Sequence, residues 1–230
     1  MTQQYDDFDT IVSNSFCGWH SPHLNYLCLK RTPERVHKVY FIEHTEDPVV
    51  SPHNHRFNFE TYVLQGDVVH HTYVPCAVKQ GELYQKFHYH SPNVGGEGFA
   101  WVGEQRLKQN LQCYSAGERF FLWADKIHTL RSAHPGETLI LEQIQREDIV
   151  PARASTDMYQ KGLSHDPPSL EGLYRKPDRV AVREWLDTYF SIRGDSLRDS
   201  LAKPEAVSKA HPPSAAPKRS AKVNRDNPFY

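Results

Sequence analysis

An antiparallel all-β barrel or sandwich followed by a helix is the fold class this sequence predicts, and three observations predict it. Eight short runs rich in β-branched and aromatic residues occupy the first 146 residues. Turn signals separate them at the spacing of a sandwich or barrel. The strand-like runs then stop, and the prolines shift: seven of the sixteen stand before residue 150 and nine after it. A chain of 230 residues with 38% hydrophobic and 24% charged residues can bury one sizeable core, so a single domain with appendages is expected.

The runs, in order, are VHKVYFIEH from Val36, TYVLQG from Thr61, DVVHHTYV from Asp67, LYQKFHYH from Leu83, GFAWVG from Gly98, ERFFLW from Glu118, KIHTLRS from Lys126 and ETLILEQIQ from Glu137. Gln65-Gly66-Asp67 reads as a hairpin between two of them, and His134-Pro135-Gly136 supplies turn chemistry before the last. The expected division is an N-terminal extension over 1–30, the barrel over 31–150, a wrapping segment and helix over 151–200, and a disordered basic tail over 201–230. The helix is Asp178–Ile192, capped by Asp178, with Val180, Trp185, Leu186, Tyr189 and Phe190 near one docking face. From Lys203 the chain turns to Ala, Pro, Ser and Lys, with six basic residues against Glu205 and Asp226.

Charge and composition exclude several function classes. Lys+Arg 27 against Asp+Glu 28 argues against non-specific nucleic-acid binding over the whole surface. No apolar run approaches the ~18 residues of a membrane span, and MTQQYDDFDT lacks a secretory pattern, so a cytoplasmic protein is expected. The four cysteines form no C-x-x-C pair and read as buried free thiols.

Histidine carries the chemistry. Fourteen are present, and imidazole is the commonest side-chain metal ligand. His53-Asn-His55 leads into Phe57-Asn-Phe59-Glu60 and closes on Gly66; alternation on a strand would put both rings on one face, close enough to share one ion. His128 follows about 70 residues later, before the last strand. Polar strand residues at a barrel mouth are the plainer explanation of the same pair. His88-Tyr-His90 runs into a proline-glycine loop without a hairpin glycine, and His70-His71 can turn only one ring inward.

This order of motifs resembles the cupin superfamily, over roughly Val36 to Gln145. The resemblance implies a double-stranded β-helix, or jelly-roll barrel, with the helix as a C-terminal appendage. It also implies that His53, His55 and His128 bind a divalent metal. The cupin glutamate falls at Phe59 here, with Glu60 one residue late. A β-bulge would let Glu60 ligate, whereas strict alternation sends it to the opposite face. A three-histidine site without a carboxylate is similar to the thiol dioxygenase branch, as are the runs Leu64–Pro75 and Asp125–Arg131. That branch's catalytic tyrosine has no counterpart, Glu142 or Gln143 standing instead.

Arg56, Tyr62, Tyr73, Trp123, Arg131 and Glu142 lie on or beside strands that would line such a pocket. Tyr73, as a hydrogen-bond donor to bound oxygen, and Arg131, as a bidentate anion holder, are the candidate catalytic residues. By analogy the metal is Fe(II), with Zn, Mn, Ni or Cu as alternatives. The expected partners are a small polar substrate, a thiol among the candidates, together with O2 and a second copy in a homodimer. A cupin isomerase, epimerase or lyase using the metal as a Lewis acid, and a non-catalytic ligand-binding cupin, are the competing readings.

Overall fold

The computed structural model describes residues 5–32, 35–77, 80–90, 98–146, 156–169 and 171–200. The basic tail over 201–230 lies outside the described residues. The elements are α1 (Phe8–Asn14), β1 (Leu24–Arg31), β2 (Val36–Ile42), β3 (Asn58–Gln65), β4 (Val68–Pro75), β5 (Glu82–His90), β6 (Gly98–Tyr114), β7 (Arg119–Leu122), β8 (Ile127–Ser132), β9 (Leu139–Arg146), β10 (Thr156–Lys161) and α2 (Arg179–Ser200). Two five-stranded antiparallel sheets, in the orders β1-β2-β9-β3-β7 and β10-β5-β6-β4-β8, form the β-barrel core expected, with a C-terminal helix beyond it.

Strand alternation explains the layering. In the first sheet Leu24, Tyr26, Val36, Tyr40, Ile42, Leu139 and Leu141 point inward to one cluster. Their neighbours Leu27, Leu29, Val39, Phe41 and Ile140 point outward, under α1 and α2, into a second. This sheet is thus buried on both faces. Val182 and Tyr189 of α2 are fully buried there, and each such side chain contributes about 1.5–3 kcal/mol. Trp185 stacks on Phe41 at 5.8 Å.

Three expectations shift. The first sheet begins at Leu24, because β1 alternates apolar residues on both faces like its neighbours. The helix face that packs is Val182, Trp185, Leu186 and Tyr189; Val180 and Phe190 are exposed. β6 runs on through the polar stretch to Tyr114, pairing with both β4 and β5. Asp178 does cap α2, accepting from the Ala181 amide at 2.7 Å. Of the cysteines only Cys28 is buried, while Cys113 is exposed.

Gly66 closes the β3–β4 hairpin at φ 78°, a left-handed conformation that favours glycine. Among the described residues no helix is long and apolar enough to cross a membrane.

Candidate metal centre

The His53–His55 segment is not yet strand. It precedes β3 and is pinned from two sides by backbone bonds. The His53 amide donates to the His128 carbonyl at 3.0 Å and the His128 amide returns the bond at 2.8 Å. The His55 amide donates to Ala124 O at 2.9 Å, and the Tyr159 amide of β10 to Pro52 O at 2.8 Å. Between the two histidines Asn54 is buried: its Nδ2 donates to Asp157 Oδ2 at 2.9 Å, and its Oδ1 accepts from the Asp157 amide at 2.7 Å. Asp157 is itself paired with His88 and Lys86. The second H-x-H therefore supplies a brace.

One donor nitrogen from each of His53, His55 and His128 lies within 4.8 Å of the other two. His55 Nε2 and His128 Nε2 are 2.7 Å apart, so both aim at one point. Metal–imidazole bonds of about 2.0–2.1 Å fit a single ion among three nitrogens so spaced. The far sides of two rings fix the tautomers. His53 Nδ1 donates to Ser51 O at 2.9 Å, and His128 Nδ1 lies 2.8 Å from His70 Nε2. With His128 Nδ1 donating, both Nε2 lone pairs face the cluster.

Electrostatics keeps these lone pairs free. Burial, then the neighbouring histidines, hold His55 and His128 well below the usual imidazole range, and burial lowers His53 as well. Burial also pushes His70 down to about 4, which suits an acceptor. Neutral imidazoles are what a divalent ion requires.

The other expected site residues lie elsewhere. Glu60 stays on the outer face of β3, where its carboxylate accepts from Arg119 Nη1 at 3.1 Å. The register shift of β3 against β9 falls at Val63–Gln65, beyond Glu60, and leaves it facing outward. Tyr73 stands three residues from His70, and Arg131 three from His128. In both cases alternation sends the side chain to the opposite face from the histidine. Tyr73 packs there with Tyr84, Leu107, Ile127 and Tyr159, and Arg131 Nη1 donates to Ser132 O. Neither lines the cavity beside the three histidines.

That cavity, about 120 Å³, takes in residues to which no motif in the sequence points. His20 lies with its ring 6.3 Å from His53, and its Nδ1 is bonded to the Tyr174 hydroxyl at 2.5 Å. Burial, helped by His53 and Lys38, pushes His20 down to about 3. His20 and Tyr174 both have positive φ, 61° and 55°, a strained backbone of the kind that gathers at functional sites. Cys17 and Arg175 exchange two backbone bonds beside them and hold it. Lys38 of β2 also lines the cavity; its alternation with buried Val36, Tyr40 and Ile42 was the signal in the sequence.

No family model matches the chain, and no curated protein does. Solved structures similar to it include Fe(II) HppE in complex with substrate (15% identity, TM-score 0.34, 54% of this chain and 50% of that one). Hydroxypropylphosphonic acid epoxidase from S. wedmorenis matches at 17% identity and TM-score 0.36, over 58% and 56% of the two chains. KdgF from Halomonas sp. matches at 16% and 0.33, over 56% and 88%. The chain thus spans about half the length of the first two.

The bond between His70 and His128 predicts that His70→Leu retains one metal site but binds it roughly 10–100-fold more weakly. Competition against a chromophoric chelator measures this, and unchanged affinity would remove His70 from the site.

Proposed function

We propose that the chain is a metal-dependent enzyme of the oxygenase kind, acting on a small polar molecule with O2 through a divalent metal, Fe(II) foremost, held by His53, His55 and His128. The observation that carries this reading is the convergence of three neutral imidazoles, His128 buried and His53 and His55 half-buried, with no carboxylate among the three. A divalent ion held by His53, His55 and His128 would supply Lewis-acid and redox chemistry to a substrate bound beside it.

The chain's own residues supply the rest. Ser51 O and His70 orient two ligand rings, and the Asn54–Asp157 pair fixes the loop that carries two of them. Phe57, Phe59, Leu130 and Phe99 form the apolar part of the cavity wall. The Tyr174 hydroxyl, bonded to His20 Nδ1, fixes the His20 ring on the cavity wall beside His53.

The test is O2 consumption by protein reconstituted anaerobically with Fe(II) and offered a panel of small acids and thiols. Uptake above the free-iron background is expected in the wild type and not in His55→Ala. Turnover of a panel member without O2, equally well with Zn(II), would move the assignment to a Lewis-acid isomerase or lyase.

A further inference from the structure

The cavity is built to be positive. Among the described residues its lining holds Lys38 and Arg56 and a single carboxylate, Asp157, which is already engaged by Asn54, Lys86 and His88. Lys38 sits on the inward face of β2, its Nζ 5.3 Å from the Tyr40 ring centroid and 5.8 Å from that of Tyr26. It has no ion pair among the described residues. Opposite it in register on β9 is Gln143, which lines the same cavity, is 3% exposed, and has an Oε1 with no hydrogen-bond partner. A native structure rarely leaves such an acceptor unmet.

We infer that the cavity binds a small organic acid, its carboxylate held by the Lys38 ammonium and a neutral hydroxyl donating to Gln143 Oε1. Lys38 is then the residue that selects for acids. The inference rests on the metal reading for one contribution, the two further positive charges that a divalent ion would place beside Lys38. Burial, and then Arg31, already push the Lys38 ammonium down to about 7, so an adjacent anion is what lets it stay charged. A hydroxyl suits Gln143 better than an ammonium would, since a third cation in this space is repelled. The size is bounded too. About 120 Å³ compares with the ~150 Å³ apolar cavity that accepts benzene, and the walls at Ile42, Val49 and Leu130 favour a short branched body.

The test titrates 2-hydroxyisovalerate, its neutral amide and isovalerate into the protein by isothermal calorimetry, with the intrinsic tryptophan fluorescence, to which Trp19 of the cavity lining contributes, as a second readout. Metal-free and Zn(II)-loaded protein are compared, beside Lys38→Met and Gln143→Leu. The hydroxy acid is expected to bind at least tenfold tighter than its amide in the wild type. Lys38→Met abolishes that preference, and Gln143→Leu abolishes the preference for the hydroxy acid over isovalerate. Equal binding of acid and amide, wild-type acid affinity in a folded Lys38→Met, or no saturation by the acid would each overturn the inference. Zn(II) binding is scored separately: a wild type that binds the acid but no Zn(II) sinks the metal reading and leaves the anchor standing. A wild type and Lys38→Met that bind Zn(II) alike but show no acid preference do the reverse.

Discussion

His128→Ala is expected to yield a folded protein that retains no metal after dialysis, where the wild type holds about one ion per chain. His128 is the hub of the cluster. Its Nε2 faces His55 Nε2 at 2.7 Å, its Nδ1 faces His70, and its backbone forms the bridge that places His53. Removing the ring leaves two imidazoles and no free acid to substitute among the described residues, since Asp157 is engaged by Asn54, Lys86 and His88 and Glu60 is outside with Arg119. The loss must exceed the roughly 10–100-fold typical of an outer partner such as His70. The substitution also truncates a side chain 3% exposed and leaves His70 Nε2 unmet, at a stability cost of about 1–3 kcal/mol. The backbone bridge to His53 survives. Elemental mass spectrometry gives the metal ratio and a thermal melt reports the fold. A folded His128→Ala with full metal content would refute the site.

Glu142→Ala is expected to cost about 3–5 kcal/mol of stability, because it breaks a buried ion pair and hydrogen-bond network. Glu142 is 1% exposed. Its Oε1 accepts from Tyr189 Oη at 2.8 Å and lies 2.6 Å from His37 Nε2, and its Oε2 is 3.5 Å from Arg193 Nε. Burial alone would raise this carboxyl. His37, Tyr189 and Arg193 together outweigh it and hold the group below its ordinary value. Alanine would leave three buried or half-buried polar partners uncompensated and release α2 from β9. Because the folded carboxyl is the stronger acid, its contribution is complete above the usual carboxylate range and lost as pH falls through and below that range. The fair comparison is Glu60→Ala. Glu60 also pairs with an arginine, but Arg119 is 60% exposed, so about 0.2–1 kcal/mol is expected. Urea midpoints at unchanged slope decide it: equal shifts for the two variants would mean the Glu142 network contributes no more than a surface pair.

Much of the fold was legible because burial follows alternation. VHKVYFIEH and ETLILEQIQ carry apolar residues on both faces, and the structure puts them in the sheet buried on both faces. The polar half of β6 was not legible, since a strand whose side chains meet solvent shows no hydrophobic period. Within the site, the H-x-H spacing brought His53 and His55 to notice, although loop bridges rather than strand geometry hold them together. Tyr73 and Arg131 stand on strands expected to line the pocket and offer suitable chemistry, but each lies at an odd offset from the inward histidine of its strand, and an odd offset means the other face. His20, Tyr174 and Asp157 come from segments without periodicity, and only the tertiary pairing of Cys17 with Arg175 and of Asn54 with Asp157 brings them in.

That pairing has a kinetic consequence. His55 and His128 are 73 residues apart in the chain, and Asn54 and Asp157 are 103 apart, so no local fragment can hold the site. Contacts of such separation form late, once their loop-closure entropy has been met. The ligand set is therefore completed only when β8 and β10 have both docked on the loop, and an ion entering during synthesis finds nothing that binds it well. A metal captured by this protein is then a marker of finished folding, and it lowers the population of any partly unzipped form by mass action.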